Sequence, residues 1–273
     1  VGVFCEELMA CAALVQVGPA RQSFWAVYTR EDGRLRERTR LLVRRDTTVG
    51  LPRGRMSIRD GGVGLDLTLQ EDVGVEARCA HGADARDEGG KTPGVEAYAP
   101  GTDEEALGAG EVWTRKQAGV RAHGTLTLEG GSPRAIEALA VIDDTAGYHA
   151  RETEWWWSAG VGTGEDGATL AWNLVAGVND PPTGSERAVW MDGVPSETPP
   201  VCFAADLSEI VAQDPDDGSR LRFTAEAVRR RSENLVVLRS EYTAPFGVFS
   251  GRLPGGIHLT SGLGVMEHHR ARW

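Results

Sequence analysis

The sequence predicts an all-β fold of two antiparallel β units, and three observations carry that expectation. Apolar residues recur with period two: in RLRFTAEAV, residues 220–228, Leu221, Phe223, Ala225 and Ala227 share one face, with Arg220, Arg222, Thr224 and Glu226 opposite. Short runs of this kind are separated by the turn dipeptides Asp32-Gly33, Asp60-Gly61, Asp166-Gly167 and Asp192-Gly193, which is hairpin punctuation. The 273 residues exceed one ordinary domain. They divide most simply into two β domains of similar type, 1–144 and 145–273.

Taken in order, strands are expected over 10–17, 23–29, 36–43 and 63–70. Residues 81–110, HGADARDEGGKTPGVEAYAPGTDEEALGAG, are rich in Gly, Ala and acids without alternation and read as a long surface loop. Strands resume at 111–116, 123–131 and 134–142. A hairpin, 151–161 with 168–176, is closed by GTGEDG, and further strands cover 186–191, 201–206, 220–228, 235–240 and 257–265. Helical periodicity is scarce: DLSEIVAQ, residues 206–213, is the best short helix, with Asp206 or Ser208 as N-cap.

Composition narrows the function classes. A net charge of −11 argues against general nucleic-acid or anionic-membrane binding, both of which need positive potential. The basic residues are nearly all Arg, with Lys91 and Lys116 as exceptions. Cys5, Cys11, Cys79 and Cys202 form no C-x-x-C pair and no zinc spacing, so no metal site is expected; Cys5 and Cys11 could pair in an oxidising compartment, but free thiols are the expectation. No apolar run is long enough for a membrane span, and no basic region followed by an apolar stretch opens the chain. A cytoplasmic protein is expected, and because the sequence opens inside a strand without Met, so is a lost upstream segment. Glycine-loop, G-x-S-x-G, H-E-x-x-H and kinase patterns are absent, which leaves no organic cofactor indicated.

The chemistry-bearing stretch is GYHARETEWWWSAG, residues 147–160. In the simplest hairpin register Trp157 faces Trp172 and Trp155 faces Leu174, so Trp155, Trp157 and Trp172 share an apolar face. Trp156 then falls among Glu154, Ser158 and Asn173. The three aligned tryptophans are either barrel core or the wall of an apolar pocket. Asn179 and Asp180 lie where Pro181 and Pro182 end the strand; a carboxylate there is either a general acid at a cavity mouth or part of a turn. Arg151 enters the apolar parity and needs a partner, with Asp143, Asp144 and Glu186 as candidates; it is an anion anchor or a structural salt bridge. Glu267-His268-His269 could supply a proton relay or metal ligands, but alternation lets a single site use only every second residue.

The succession AGYHARETEWWWSAGVG, WNLVAGVNDPP, SERAVWMDGVPSE, LRSEYTAPFGVFSG and GLGVMEHHRARW resembles the bacterial domain of unknown function family 2804, and VQVGPARQSFWAVYTREDG is compatible with it. That family is distantly similar to the lipocalin-like group of carotenoid 1,2-hydratases, AttH-type proteins and fungal Diels–Alderases. The resemblance implies two packed lipocalin-like β-barrel domains with an apolar cavity in or between them. It implies no metal or redox cofactor, and acidic, His, Tyr and Trp side chains that protonate or fold a hydrophobic polyene. It points to His149, Trp155, Trp157 and Asp180 as the corresponding region. Thr153 stands where the hydratase His-x-Trp pattern has its His, and Glu152 where the family often has another.

The expected function is binding of a hydrophobic or amphipathic small molecule of lipid, isoprenoid or polyketide type. Asp180 would donate a proton and His149 relay it. Arg151, Trp155, Trp157, Trp172, Asn173 and Asn179 would bind the ligand. A cofactor-independent hydratase, isomerase or cyclase, a non-catalytic carrier, and a structural double barrel with a packed interior are the competing readings.

Overall fold

The computed structural model describes residues 1–17, 20–41, 48–71, 74–80, 96–98, 111–147, 150–235 and 238–272. Two curled antiparallel sheets make up the fold, as expected from the alternation. The first sheet holds β1 (Gly2–Phe4), β2 (Leu8–Val17), β3 (Ala20–Thr29), β4 (Arg34–Leu41), β5 (Val49–Gly50), β6 (Arg55–Asp60), β7 (Val63–Gln70), β8 (Gly74–Ala80), β9 (Glu96–Tyr98), β10 (Glu111–Leu128) and β11 (Arg134–Gly147). Its order is β4-β3-β2-β1-β11-β10-β7-β6-β5, with β8 on the first part of β10 and β9 on β8.

The second sheet holds β12 (Glu152–Gly164), β13 (Thr169–Ala176), β14 (Ala188–Met191), β15 (Val194–Glu197), β16 (Val201–Phe203), β17 (Glu209–Ala212), β18 (Arg220–Leu235), β19 (Leu238–Leu253) and β20 (Ile257–Arg272). Its order is β15-β14-β13-β12-β20-β19-β18-β17-β16.

Each sheet curls over its own apolar interior. Leu8, Trp25, Met56, Ile58 and Leu67 fill the first, and Trp172, Leu174, Phe249, Leu253 and Met266 fill the second. A third cluster, including Phe4, Met9, Val141, Ala159, Trp190 and Phe246, is drawn from both sheets and forms the seam where their outer faces meet. Turns follow the expected chemistry. Asp192 and Gly193 take φ of 49° and 83° between β14 and β15, the left-handed pair that a tight hairpin with matching twist requires.

Three expectations are corrected. Residues 206–213 are not helical. Asp206 Oδ1 accepts from Ser208 N at 3.0 Å, forming a local turn, and Glu209–Ala212 then pairs with both β16 and β18. The β-branched Ile210 and Val211 fit a pleated surface better than a lone helical turn. Of the loop expected over 81–110, residues 96–98 form β9, while 81–95 and 99–110 lie outside the described residues. The strands expected at 111–116 and 123–131 are one strand, β10, carrying a bulge between Ala118 and Val120 where Gly119 takes φ 75°.

The hairpin register also differs. Trp157 pairs with Val175, and Trp172 pairs with Gly160, a shift of three residues that moves Trp172 to the opposite face. The reason is steric. The Trp172 indole lies over Gly160 and Gly262, where an added Cβ would stand 2.3 Å and 2.8 Å from its ring atoms. The six-membered edge of the ring therefore needs a floor of glycines, which only this register supplies. Both faces of β12 and β13 are also buried, one in the barrel and one in the seam, so no solvent face marks the parity.

Candidate functional site

Alternation along the second sheet directs Trp155, Trp157 and Ala159 of β12, Val265, Glu267 and His269 of β20, Tyr242 and Ala244 of β19, and Arg229 of β18 toward the first sheet. Trp157 pairs with Glu267 and Trp155 with His269, which in turn pairs with Tyr242. These rows face Met9 and Cys11 of β2, Phe24 and Ala26 of β3, and Val141 and Asp143 of β11 across the seam.

The centre of this arrangement is Glu267. Trp155 Nε1 donates to its Oε1 at 2.9 Å, and the Tyr242 hydroxyl is a second donor. Burial pushes the Glu267 carboxyl up to about 7, against the lowering effect of those two hydrogen bonds and of Arg229. Asp143 across the seam pushes the same way as burial. A carboxyl in such a setting carries a proton through much of the neutral range.

The residues around it are aromatic. The His269 ring lies 4.2 Å from Trp155 and 5.3 Å from Tyr242, and its Nε2 is 2.8 Å from Ser240 Oγ. Burial, helped by His268 and Arg229, pushes His269 down to about 4, so the ring is neutral at neutral pH. Burial also drives the Tyr242 hydroxyl well above its usual range, keeping it a donor. The Arg229 guanidinium stacks 4.4 Å from the Phe24 ring and 4.9 Å from Tyr242. It also reaches Glu37 at 3.2 Å and Thr39 at 2.8 Å on the first sheet. Trp155, Trp157, Phe24, Tyr242 and Glu267 are half-buried although all face the seam, so solvent reaches this end of it.

A second polar group crosses the seam beside the first. Lys116 of β10 is 2% exposed, with Nζ 2.5 Å from Asp143 and 3.4 Å from Glu186, which lies between β13 and β14. Thr145 Oγ1 donates to Asp143, and Asn179 Nδ2 donates to Glu186 at 3.1 Å. Burial alone would lower Lys116, but Asp143 and Glu186 together hold it above its ordinary value. Burial raises Glu186 despite Lys116. At Asp143 burial is outweighed by Lys116 and the carboxyl stays low.

The expected site residues scatter around this seam. Trp155 and Trp157 border it, and Trp157 Nε1 donates to Asn173 Oδ1 at 2.8 Å. Asn173 is buried and donates on to the Glu186 carbonyl, and Asn179 is held by Glu186. Trp172 lies in the packed barrel interior, bonded to Ser158 Oγ at 3.0 Å and edge-on to Phe249 at 5.0 Å. Trp156 shares that inner face and stacks on His268 at 4.7 Å. Asp180 Oδ2 accepts from Gly177 N at 2.8 Å, closing the turn after β13. Arg151 is exposed, and its candidate partners are engaged elsewhere: Asp143 and Glu186 with Lys116, Asp144 with Arg115. His149 lies outside the described residues.

Sequence reasoning passed over Lys116, Tyr242 and Arg229 and did not single out Glu267 within Glu267-His268-His269. One signal was available: Lys116 is one of only two lysines in an arginine-rich chain, set in an alternating strand. The other end of the seam opens into a cleft of about 740 Å³. Its lining includes Phe4, Leu139, Val161 and Leu263, with Arg30 and Glu137 among its polar groups. Among the described residues no tryptophan lines it, and it is separated from Glu267 along β20 by the packed row of Val265. Among the described residues no cluster of three or more His, Cys, Asp or Glu could hold a metal ion.

The model of the family described as Domain of unknown function (DUF2804) matches residues 1–273. The chain belongs to DUF2804. Among solved structures, this DUF2804 chain is similar to a protein assigned as an AttH from Nitrosomonas europaea, with TM-score 0.52 and 11% identity over 96% of this chain and 86% of that one. It is also similar to kievitone hydratase from Nectria haematococca, with TM-score 0.50 and 11% identity over 97% and 84%. At that identity the likeness shows the fold. Comparison of the DUF2804 sequence with curated proteins gives no match. No helix among its described residues is long and apolar enough to cross a membrane.

Proposed function

We propose that this DUF2804 chain takes a hydrophobic or amphipathic small molecule into the seam between its sheets and transfers a proton to it from Glu267, as a hydratase, isomerase or cyclase does. The observation that carries the reading is a carboxyl held near pKa 7 by burial, set among Trp155, Trp157, Tyr242 and Phe24 at an accessible end of the seam. The clusters inside the two sheets are apolar, whereas the seam brings polar and aromatic side chains together around Glu267.

The chemistry follows from the neighbours. Neutral Glu267 donates its proton to a carbon–carbon double bond or a carbonyl oxygen. The carboxylate left behind is met by the Trp155 N–H, the Tyr242 O–H and the positive field of Arg229. Positive charge arising on the substrate faces the indole rings, which attract cations through their π-faces. In a hydration, water adds to that cation and the proton it sheds returns to Glu267. Occurrence of this fold in kievitone hydratase supports the reading. The donor is placed at Glu267 rather than Asp180, whose Oδ2 is already committed to the Gly177 amide. The buried cation is Arg229 rather than the exposed Arg151.

A carrier that holds the molecule without changing it uses the same seam, and the Trp155 and Tyr242 hydrogen bonds to Glu267 serve it equally as an anchor. The test begins with native mass spectrometry of protein purified from its own host, to identify a retained ligand. Wild type is expected to convert that ligand. Glu267→Gln is expected to bind it within about threefold and lose at least about 100-fold in rate, while Asp180→Asn keeps its rate. An unchanged rate for Glu267→Gln removes the assignment, and a ligand returned intact by wild type favours the carrier.

A further inference from the structure

The exposed apolar residues of this chain are not scattered. Leu14, Val15, Val17 and Leu41 are four of the six large hydrophobic side chains exposed among the described residues, and all four sit on β2 and β4. Alternation places Cys11, Ala13, Val15 and Val17 on the face of β2 that looks toward the second sheet. Cys11 packs in the inter-sheet cluster and is close enough to Glu267 and Arg229 to feel their charge. Ala13 pairs with Phe24, whose ring lies 6.4 Å from Tyr242. One row further out, Val15, Gln22 and Leu41 lie side by side across β2, β3 and β4. Val15 and Leu41 are 39% and 38% exposed, and Val17, the next residue outward on that face, is 49% exposed.

We infer that this apolar lip is the binding surface for the aliphatic tail of a long-chain amphiphile whose oxygenated head enters the seam at Glu267. The inference rests on the function proposed above and names its ligand class. Continuity argues for it. From Cys11 to Val17 the face runs unbroken for about 20 Å at roughly 3.3 Å per residue. It changes along that length from the polar and aromatic surroundings of Glu267 to bare aliphatic side chains. A second copy of the chain is a poorer occupant, because three side chains fall far short of the roughly 800 Å² per partner that a stable interface buries. The head group fits a hydroxyl or carbonyl, which the Glu267 carboxyl and the Tyr242 hydroxyl can both hydrogen-bond. An anionic head would meet the Asp143 carboxylate as a like charge.

Two phenols that share a head and differ in tail, p-cresol and p-dodecylphenol, test this by titration calorimetry. Wild type is expected to bind p-dodecylphenol at least about 30-fold more tightly than p-cresol, because each buried methylene contributes about 0.8 kcal/mol. A triple variant, Val15→Asn, Val17→Asn and Leu41→Asn, is expected to bring the two within about threefold while p-cresol affinity and the thermal midpoint stay put. If p-cresol binds but the tail adds nothing, or the gain survives in the triple variant, the lip assignment is wrong and the reading of the seam stands. If neither phenol binds, both fall. If sedimentation velocity shows a wild-type dimer that the triple variant converts to monomer while the tail gain persists, the lip is a contact between copies and the inference is overturned.

Discussion

Lys116→Met is expected to destabilise the fold by about 3–5 kcal/mol at neutral pH, read as a lowered urea midpoint. The ammonium lies between the buried Glu186 and the partly exposed Asp143, and the lysine itself is 2% exposed. Removing it leaves the buried Glu186 carboxyl with the Asn179 amide as its donor, and an uncompensated buried charge costs far more than a missing surface pair. Because the pair joins β10 of the first sheet to the segment before β14 of the second, its loss loosens the seam rather than either barrel. The sign of the pH response is fixed. Without Lys116 the folded-state pKa of the buried Glu186 carboxyl, already raised by burial, climbs further above that of the unfolded chain, so the deficit shrinks as pH falls and a proton neutralises it. Adding Asp143→Asn and Glu186→Gln to the Lys116→Met chain is expected to recover most of the loss. A deficit that stays constant between acid and neutral pH shows the effect to be packing alone.

Trp172→Ala is expected to cost a similar amount, about 3–5 kcal/mol, by a different route. The indole is wholly buried, stacks edge-on to Phe249, bonds to Ser158 and rests on Gly160 and Gly262. Glycines cannot refill the space, so the cavity stays open and the hydroxyl of Ser158 loses its donor. The same exchange at Trp155, half-buried against an accessible seam, is expected to cost less than about half as much. Equal losses at the two positions, measured by urea unfolding, contradict the placement of one ring in a packed interior and the other at an open edge.

The architecture was legible because each strand repeats its message: RLRFTAEAV alternates, and Asp-Gly pairs mark the reversals. What alternation could not settle is which face is which when both are buried. The WWW run shows this. Trp155 and Trp157 do share a face, but Trp172 belongs to the other, because its partner is set by where glycines leave room for an indole rather than by matching apolar rows. The site was partly legible for a related reason. Trp155, Trp157, Asn173 and Asn179 do cluster near the seam, but Glu267, Tyr242, Arg229 and Lys116 come from strands far apart in sequence. Only the packing of one sheet on the other buries Glu267 enough to raise its pKa. Asp180, read from its place at a strand end as either a general acid or part of a turn, accepts from the Gly177 amide and closes the turn after β13.

Glu267 therefore carries the account, and its protonation is linked to folding with a definite sign. A carboxyl raised to about 7 in the fold from about 4.3 in the unfolded chain favours the folded state only while protonated. Its contribution is present below the unfolded value and lost as pH climbs through about 7, roughly 4 kcal/mol in all. The most direct measurement is the titration of the Glu267 carboxyl carbon by NMR in glutamate-labelled protein, assigned by its absence in Glu267→Gln. A midpoint near 7 that moves when p-cresol is added is the predicted result. A midpoint near the ordinary glutamate value of about 4.3, unmoved by the phenol, contradicts it.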